Sequence, residues 1–130
     1  MDNKFILNLE NKIHGVHTRL KELHFSAPCI SLHKLIDDFD KEFLEFDDAV
    51  MENAQALWGF IKVGDIKPVL PESTEFLELL GEIKGMLVSI KREASDNEIL
   101  WSGILNRVDD FMETVNKYIY LTQIALKGRD

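Results

Sequence analysis

The stretch that decides the fold is SLHKLIDDFDKEFLEFDDAVMENAQALW, residues 31–58, which no glycine or proline interrupts. Its large apolar residues recur mostly at intervals of three and four, the spacing that lines one face of an α-helix. The residues of this face are Leu32, Leu35, Ile36, Phe39, Phe43, Phe46, Val50 and Leu57. The pattern predicts one long amphipathic helix, helix B, with Ser31 as its N-cap and Gly59 and Gly64 at its end.

The same periodicity on both sides of helix B predicts three more helices. They are helix A over about 3–24, helix C over about 72–94 and helix D over about 96–127. The sequence Ser-Asp-Asn-Glu at 95–98 fits a capping box for helix D. Gly81 and Gly85 lie within helix C, where their small size would allow a neighbouring helix to approach closely.

The lengths of the connections indicate how these helices pack. The A–B and C–D connections are short, which makes their helices antiparallel neighbours, whereas the B–C connection spans about a dozen residues. We therefore expect an all-α fold: a ferritin-like four-helix bundle of two antiparallel hairpins joined by a B–C crossover. Simpler bundles with one long loop are also compatible with these lengths.

Composition sets further limits on the 130-residue chain, whose length suits a single domain over 1–130. Its net charge of -8 argues against nucleic acid as a default partner. Cys29 is the only cysteine, so an internal disulfide framework is excluded. No apolar run reaches the roughly 18 residues of a membrane span, and the first residues lack signal-peptide features. These observations predict a cytoplasmic protein without a membrane partner.

The polar side of helix B has an unusually high number of acidic residues. Eight acidic residues and one base, Lys41, lie between Asp37 and Glu52. Most acidic runs are simply solvated helix faces. At about 100° per residue, however, four metal-binding side chains share one stripe that faces away from the apolar face. They are His33, Asp37, Asp48 and Glu52.

A single metal ion cannot join both ends of this stripe within one chain, because Asp37 and Asp48 are about 16 Å apart along the helix. A twofold axis between two chains would bring the two ends of the stripe together. Two antiparallel copies of helix B, crossing near Glu42 and Phe43, would set His33 opposite the partner's Glu52 and Asp37 opposite the partner's Asp48.

Histidines of helix A are further candidates. His24 ends helix A, and we expect it beside His33 as an additional ligand. We expect His14 and His17 to be surface or otherwise satisfied residues with no metal role.

The string His24, His33-x-x-x-Asp37, Asp48-x-x-x-Glu52 resembles the metal-binding constellation of the Dps mini-ferritins, in a short form of the kind phages encode. The segments SLHKLIDDFDKEFLEFDDAVMENAQAL and RVDDFMETVNKYI are similar to the second and last helices of that family. The resemblance implies an iron-binding ferroxidase, with zinc as a substitute metal, in a homo-oligomer that stores iron inside a shell of usually twelve subunits. It also implies that His24, His33 and Asp37 come from one chain, and Asp48 and Glu52 from its partner.

The chain departs from the Dps pattern at several points. The lysine-rich tail that many Dps proteins use on DNA is missing, so no direct DNA binding is expected. Phe25 stands where a tryptophan often follows the first histidine. An inactive ferritin-like structural or interaction protein, such as a viral scaffold, is the main alternative. An acidic mimic of DNA is a third hypothesis.

Overall fold

The computed structural model describes residues 4–128 and has four α-helices packed as a bundle, with no strand in that range. This confirms the predicted all-α, four-helix class. The four helices correspond to the predicted helices A to D. They are α1 (Lys4–Phe25), α2 (Ile30–Trp58), α3 (Phe76–Glu93) and α4 (Ser102–Gly128).

The start of α2 differs slightly from the prediction. Cys29, not Ser31, occupies the N-cap position, and its side chain makes no capping hydrogen bond. The first helical bond runs from the His33 amide to the Cys29 carbonyl, at 3.0 Å. The helix therefore begins early, and the break after α1 shortens to four residues, 26–29.

The starts of α3 and α4 were predicted too early. The backbone around Ser73 is held by side chains instead of helical bonds, because its amide binds Glu82 and its carbonyl binds Arg19. The Ser95 hydroxyl turns back to the Arg92 carbonyl at 2.8 Å, so it closes the end of α3 and does not cap α4. The capping-box prediction at 95–98 is wrong, and α4 begins at Ser102.

The core centres on aromatic residues of α2. Phe39 and Phe43 are fully buried, and both pack against Phe111 of α4. Phe39 also contacts Tyr118 of α4 and Phe76 at the start of α3. Burial of each such side chain is worth roughly 1.5–3 kcal/mol. Because α2 also packs along α1, it is covered on two sides, and only the remaining arc faces solvent.

The connection between α2 and α3 lies against α1. The amide of Val69 donates to the Asn11 carbonyl at 2.9 Å, and the amide of Lys67 donates to Asn11 Oδ1 at 2.7 Å. Gly15 sits beneath this segment, and a Cβ there would collide with the Val69 carbonyl oxygen. The small size of Gly81 and Gly85 is not used in this way within the chain, because neither has an atom within 4 Å of an added Cβ.

None of the four described helices combines the length and the apolarity needed to cross a lipid bilayer.

Candidate metal sites

His24 and His33 come together where α1 meets α2, as the sequence predicts. Their rings stack with centroids 3.9 Å apart and planes inclined by 27°. His33 Nδ1 donates to the His24 carbonyl oxygen at 3.0 Å. A carbonyl can only accept, so this bond places the proton of neutral His33 on Nδ1 and leaves the Nε2 lone pair available for a metal ion.

Asp37 follows His33 by one helical turn and is half-buried. Its carboxylate lies 3.3 Å from Lys41 Nζ. The hydrogen bond from Lys41 lowers the pKa of Asp37, and the charges of His24 and Lys21 act in the same direction. Asp37 is therefore ionised at neutral pH, and it lies close enough to His24 for a charge on that ring to lower the Asp37 pKa. Lys41 already lies beside the Asp37 carboxylate.

Asp48 and Glu52 lie further along α2 and are exposed. Neither forms an ion pair within residues 4–128. A single chain thus does not bring the predicted ligand set together. One half lies where α1 meets α2, and the other half, Asp48 and Glu52, lies further along α2. In the described part of the chain, no compact group of three metal-binding side chains includes any of the five predicted residues.

A row of facing polar pairs runs between α1 and α2, and we call it the polar seam. Its pairs are His24 with His33, His17 with Asp40, and Glu10 with Asp47. Successive pairs are seven residues apart on both helices, the repeat that returns to the same side of a helix. The seam therefore links the predicted histidine pair to two acidic positions that the apolar face of α2 does not include.

The middle pair of the seam is a direct contact. His17 Nδ1 lies 2.7 Å from Asp40 Oδ1, and Lys21 Nζ lies 3.7 Å from the other carboxylate oxygen. Asp40 is buried, whereas His17 is half-buried. His17 is accordingly a satisfied residue, in agreement with the role expected for it.

The far end of the seam contains three side chains of types that can ligate a metal ion: Glu10, His14 and Asp47. One donor atom from each residue lies within 4.8 Å of the other two. His14 Nε2 is 2.8 Å from Glu10 Oε1. The other Glu10 oxygen, Oε2, and the Asp47 oxygen Oδ1 are buried and have no hydrogen-bond partner outside the Glu10–Asp47 pair.

The electrostatics of this group follow from its burial. Burial is the largest effect and, together with the neighbouring Asp47, raises the pKa of Glu10 to about 9. Burial also raises the pKa of Asp47, and the charge of Asp48 acts on both carboxyls in the same direction. Two carboxyl groups this close disfavour double ionisation, so in the absence of a cation the pair retains a proton at neutral pH.

The sequence did not point to Glu10 or Asp47, and it predicted a surface or satisfied His14, which here is partly exposed and lies 2.8 Å from Glu10. On the helical wheel of α2, Asp40 and Asp47 lie at the border between the apolar face and the acidic stripe, and α1 covers that border. The available signal was the spacing of polar residues by seven on both helices, at 10, 17 and 24 and at 33, 40 and 47. Polar residues that recur with the same spacing on two adjacent helices indicate pairs that face each other across the helix contact.

Comparison of the chain with protein-family models, with curated proteins and with solved structures finds no match. The resemblance to the Dps family therefore depends on the residues and segments quoted from this sequence.

Proposed function

We propose that the protein is a Dps-like ferroxidase that binds and oxidises Fe(II) at a site shared by two chains. His24, His33 and Asp37 would come from one chain, and Asp48 and Glu52 from its partner. The observation that carries the proposal is the His24–His33 contact, because the hydrogen bond from His33 Nδ1 aims an unprotonated Nε2 away from the backbone. Metal-ligating histidines in proteins are oriented by this kind of second hydrogen bond.

The path of the α2–α3 connection supports a ferritin-like crossover. Lys67 and Val69 lie beside Asn11, whereas Ser73 lies beside Arg19, two turns further along α1. The connection thus runs along α1 before α3 begins. Phe76, the first residue of α3, then contacts Phe39 in the first half of α2. This course would make α2 and α3 parallel, as in the ferritin-like arrangement.

The exposed face of α2 supports the proposed twofold. Phe43 is fully buried, so the surface residues nearest the crossing are Lys41 and Leu44. Leu44 is 39% exposed, and the proposed register would set it opposite the partner's Lys41, whose aliphatic stem would give an apolar contact between the two acidic ends. Asp37 would then approach the partner's Asp48, and bound metal would offset the repulsion between the two acidic helices. The proposal extends to a larger homo-oligomer, up to the twelve-subunit shell of the Dps family.

The ligand set suits iron chemistry. Imidazole and carboxylate together bind Fe(II) and leave coordination positions open for an oxidant. With hydrogen peroxide, two Fe(II) ions give one electron each, and peroxide with two protons becomes two water molecules. Each shared site, mono-iron or di-iron, would bind these two Fe(II) ions in turn or together, so that one intact site is sufficient for the reaction. Zn(II) would occupy the same ligands without electron transfer.

Stopped-flow absorbance after mixing protein with Fe(II) and peroxide tests the proposal. We expect a rapid oxidation phase in the unaltered protein and its loss in His33→Ala and in Glu52→Ala. Glu113→Gln, at an exposed position of α4, is the matched control and should leave the phase unchanged. Equal rates in all four proteins would contradict the proposal.

The second candidate is an inactive ferritin-like structural protein. One observation favours it: the same His33 side chain satisfies a backbone carbonyl in the last turn of α1, and Lys41 is already beside Asp37. Both contacts stabilise the fold without a metal ion. A stable oligomer that forms in the presence of a chelator and shows no rapid iron oxidation would favour this candidate.

A further inference from the structure

The group of Glu10, His14 and Asp47 lies within one chain and shares no residue with the proposed interface site. Glu10 and His14 are one turn apart on α1, and Asp47 faces them from α2. We infer that these three side chains form a binding site for one divalent transition-metal ion in each chain. This inference goes beyond the proposed ferroxidase and does not depend on it.

The buried carboxylate oxygens carry the inference. Glu10 is 4% exposed and Asp47 is 8% exposed, and Glu10 Oε2 and Asp47 Oδ1 have no hydrogen-bond partner outside this pair, which holds a proton when no cation is bound. Loss of that proton leaves two buried charges facing each other, which is costly without a cation. A cation between the two carboxylates would bind both oxygens and remove their mutual repulsion.

The spacing of the donor atoms fits one small ion. Ligands about 2.1 Å from a four-coordinate metal are roughly 3.4 Å from one another. The three donor atoms already lie within 4.8 Å of each other, so short side-chain movements would complete the site. Both helices hold these residues on regular backbone, which limits the movement needed.

The surroundings of the three side chains allow solvent to reach them, and the ligand types favour particular metal ions. The His14 side chain is 42% exposed, so solvent reaches the group and a water molecule can fill a fourth position. Asp48 adds a nearby negative charge, which attracts cations. One imidazole with two carboxylates favours Zn(II), Fe(II) or Co(II) over Mg(II) and Ca(II), which prefer oxygen ligands alone.

Cobalt binding to the full chain tests the inference without any activity measurement. The starting protein is the chelator-treated His33→Ala/Glu52→Ala double variant, in which the proposed interface site is disabled. We expect equilibrium dialysis to find one Co(II) per chain, with ligand-field absorption in the visible range. Adding Glu10→Gln, Asp47→Asn or His14→Ala should abolish both signals, and circular dichroism verifies that each variant is folded.

His17→Ala in the same background is the matched control. His17 lies on the next turn of α1 but contacts Asp40, so its loss should leave one Co(II) per chain. The inference is overturned if the starting protein binds no Co(II), or if binding survives Glu10→Gln. In the second case the two carboxyls hold only a proton. If unaltered protein and the double variant bind the same single Co(II), the intrachain site stands and the interface site fails.

Discussion

His17 and Asp40 form the central contact between α1 and α2, with His17 Nδ1 2.7 Å from the buried Asp40 carboxylate. Two helices that both contribute to the apolar core therefore also meet along a row of polar side chains. A buried carboxylate needs a partner, because an unpaired charge in the interior is strongly destabilising. The contact fixes which turn of α1 lies against which turn of α2.

We predict that His17→Ala lowers the free energy of unfolding by about 1–3 kcal/mol, because Asp40 is left buried with only Lys21 nearby. The double variant His17→Ala/Asp40→Ala should recover part of this loss, since no charge remains to be paired. Urea unfolding at neutral pH measures both effects. Thr18→Ala, at an exposed neighbouring position, is the control. Equal losses in the single and double variants would contradict the prediction.

The raised pKa of Glu10 predicts how the stability of metal-free protein changes with pH. Glu10 faces Asp47 and Asp48 from α2 and His14 from its own helix. Its pKa is about 9 in the folded chain against an ordinary value of 4.5, so between these values the folded state holds the extra proton. Stability should therefore fall as pH rises from about 5 to about 9.

Thermal unfolding of chelator-treated protein at a series of pH values checks this expectation. In Glu10→Gln that part of the pH dependence should disappear, and the variant should be more stable than the unaltered protein at pH 8. Glu22→Gln, an exposed carboxyl on the same helix, should retain the original slope. A pH profile unchanged by Glu10→Gln would show that Glu10 titrates normally in the folded chain.

Gly15 gives a test of the path of the α2–α3 connection. A Cβ at this position would meet the Val69 carbonyl, so Gly15→Ala must displace the connection, at a cost of about 1–3 kcal/mol by analogy with overpacked cores. Gly85→Ala, in an open part of α3, should instead stabilise the protein by up to about 1 kcal/mol. Denaturant unfolding of both variants compares the two glycines directly. Stabilisation by both alanines would show that the connection does not rest on α1.

Periodicity was sufficient to predict the four helices, because an apolar face covered by neighbours must repeat at helical spacing. Phe39, Phe43 and Val50 on α2 illustrate this, and all three are buried. The contact of His24 with His33 was also predictable, since a short break between antiparallel helices brings their ends together. Helix starts were less predictable, because they depend on tertiary contacts such as the hydrogen bond from Arg19 of α1 to the Ser73 carbonyl.

The Glu10, His14 and Asp47 group was not predicted because a single helix does not reveal which of its borders a neighbour covers. Asp47 and Asp48 are adjacent in an acidic run, yet Asp47 is buried under α1 and Asp48 is exposed. Only the register of α1 against α2 separates their roles. That register was present in the sequence as matched spacings of seven on both helices, but such spacing becomes informative only when the two helices are considered together.

The sharpest test of the proposed interface site mixes two inactive proteins. Each site would need His33 from one chain and Glu52 from the other. A mixed dimer of His33→Ala and Glu52→Ala would therefore carry both defects in one site and leave the other intact. Random exchange should restore about a quarter of the original oxidation rate, since half the dimers are mixed and each has one working site of two.

A second mixture controls for unspecific recovery. His33 and Asp37 would serve the same half of each site, so His33→Ala mixed with Asp37→Ala leaves every site defective and should stay inactive. Mass spectrometry of differently labelled chains establishes that exchange has occurred. Recovery in the first mixture alone requires ligands from two chains, because a site built within one chain cannot be repaired by another. If exchange is complete and both mixtures remain inactive, the shared site is excluded while the four-helix fold is unaffected.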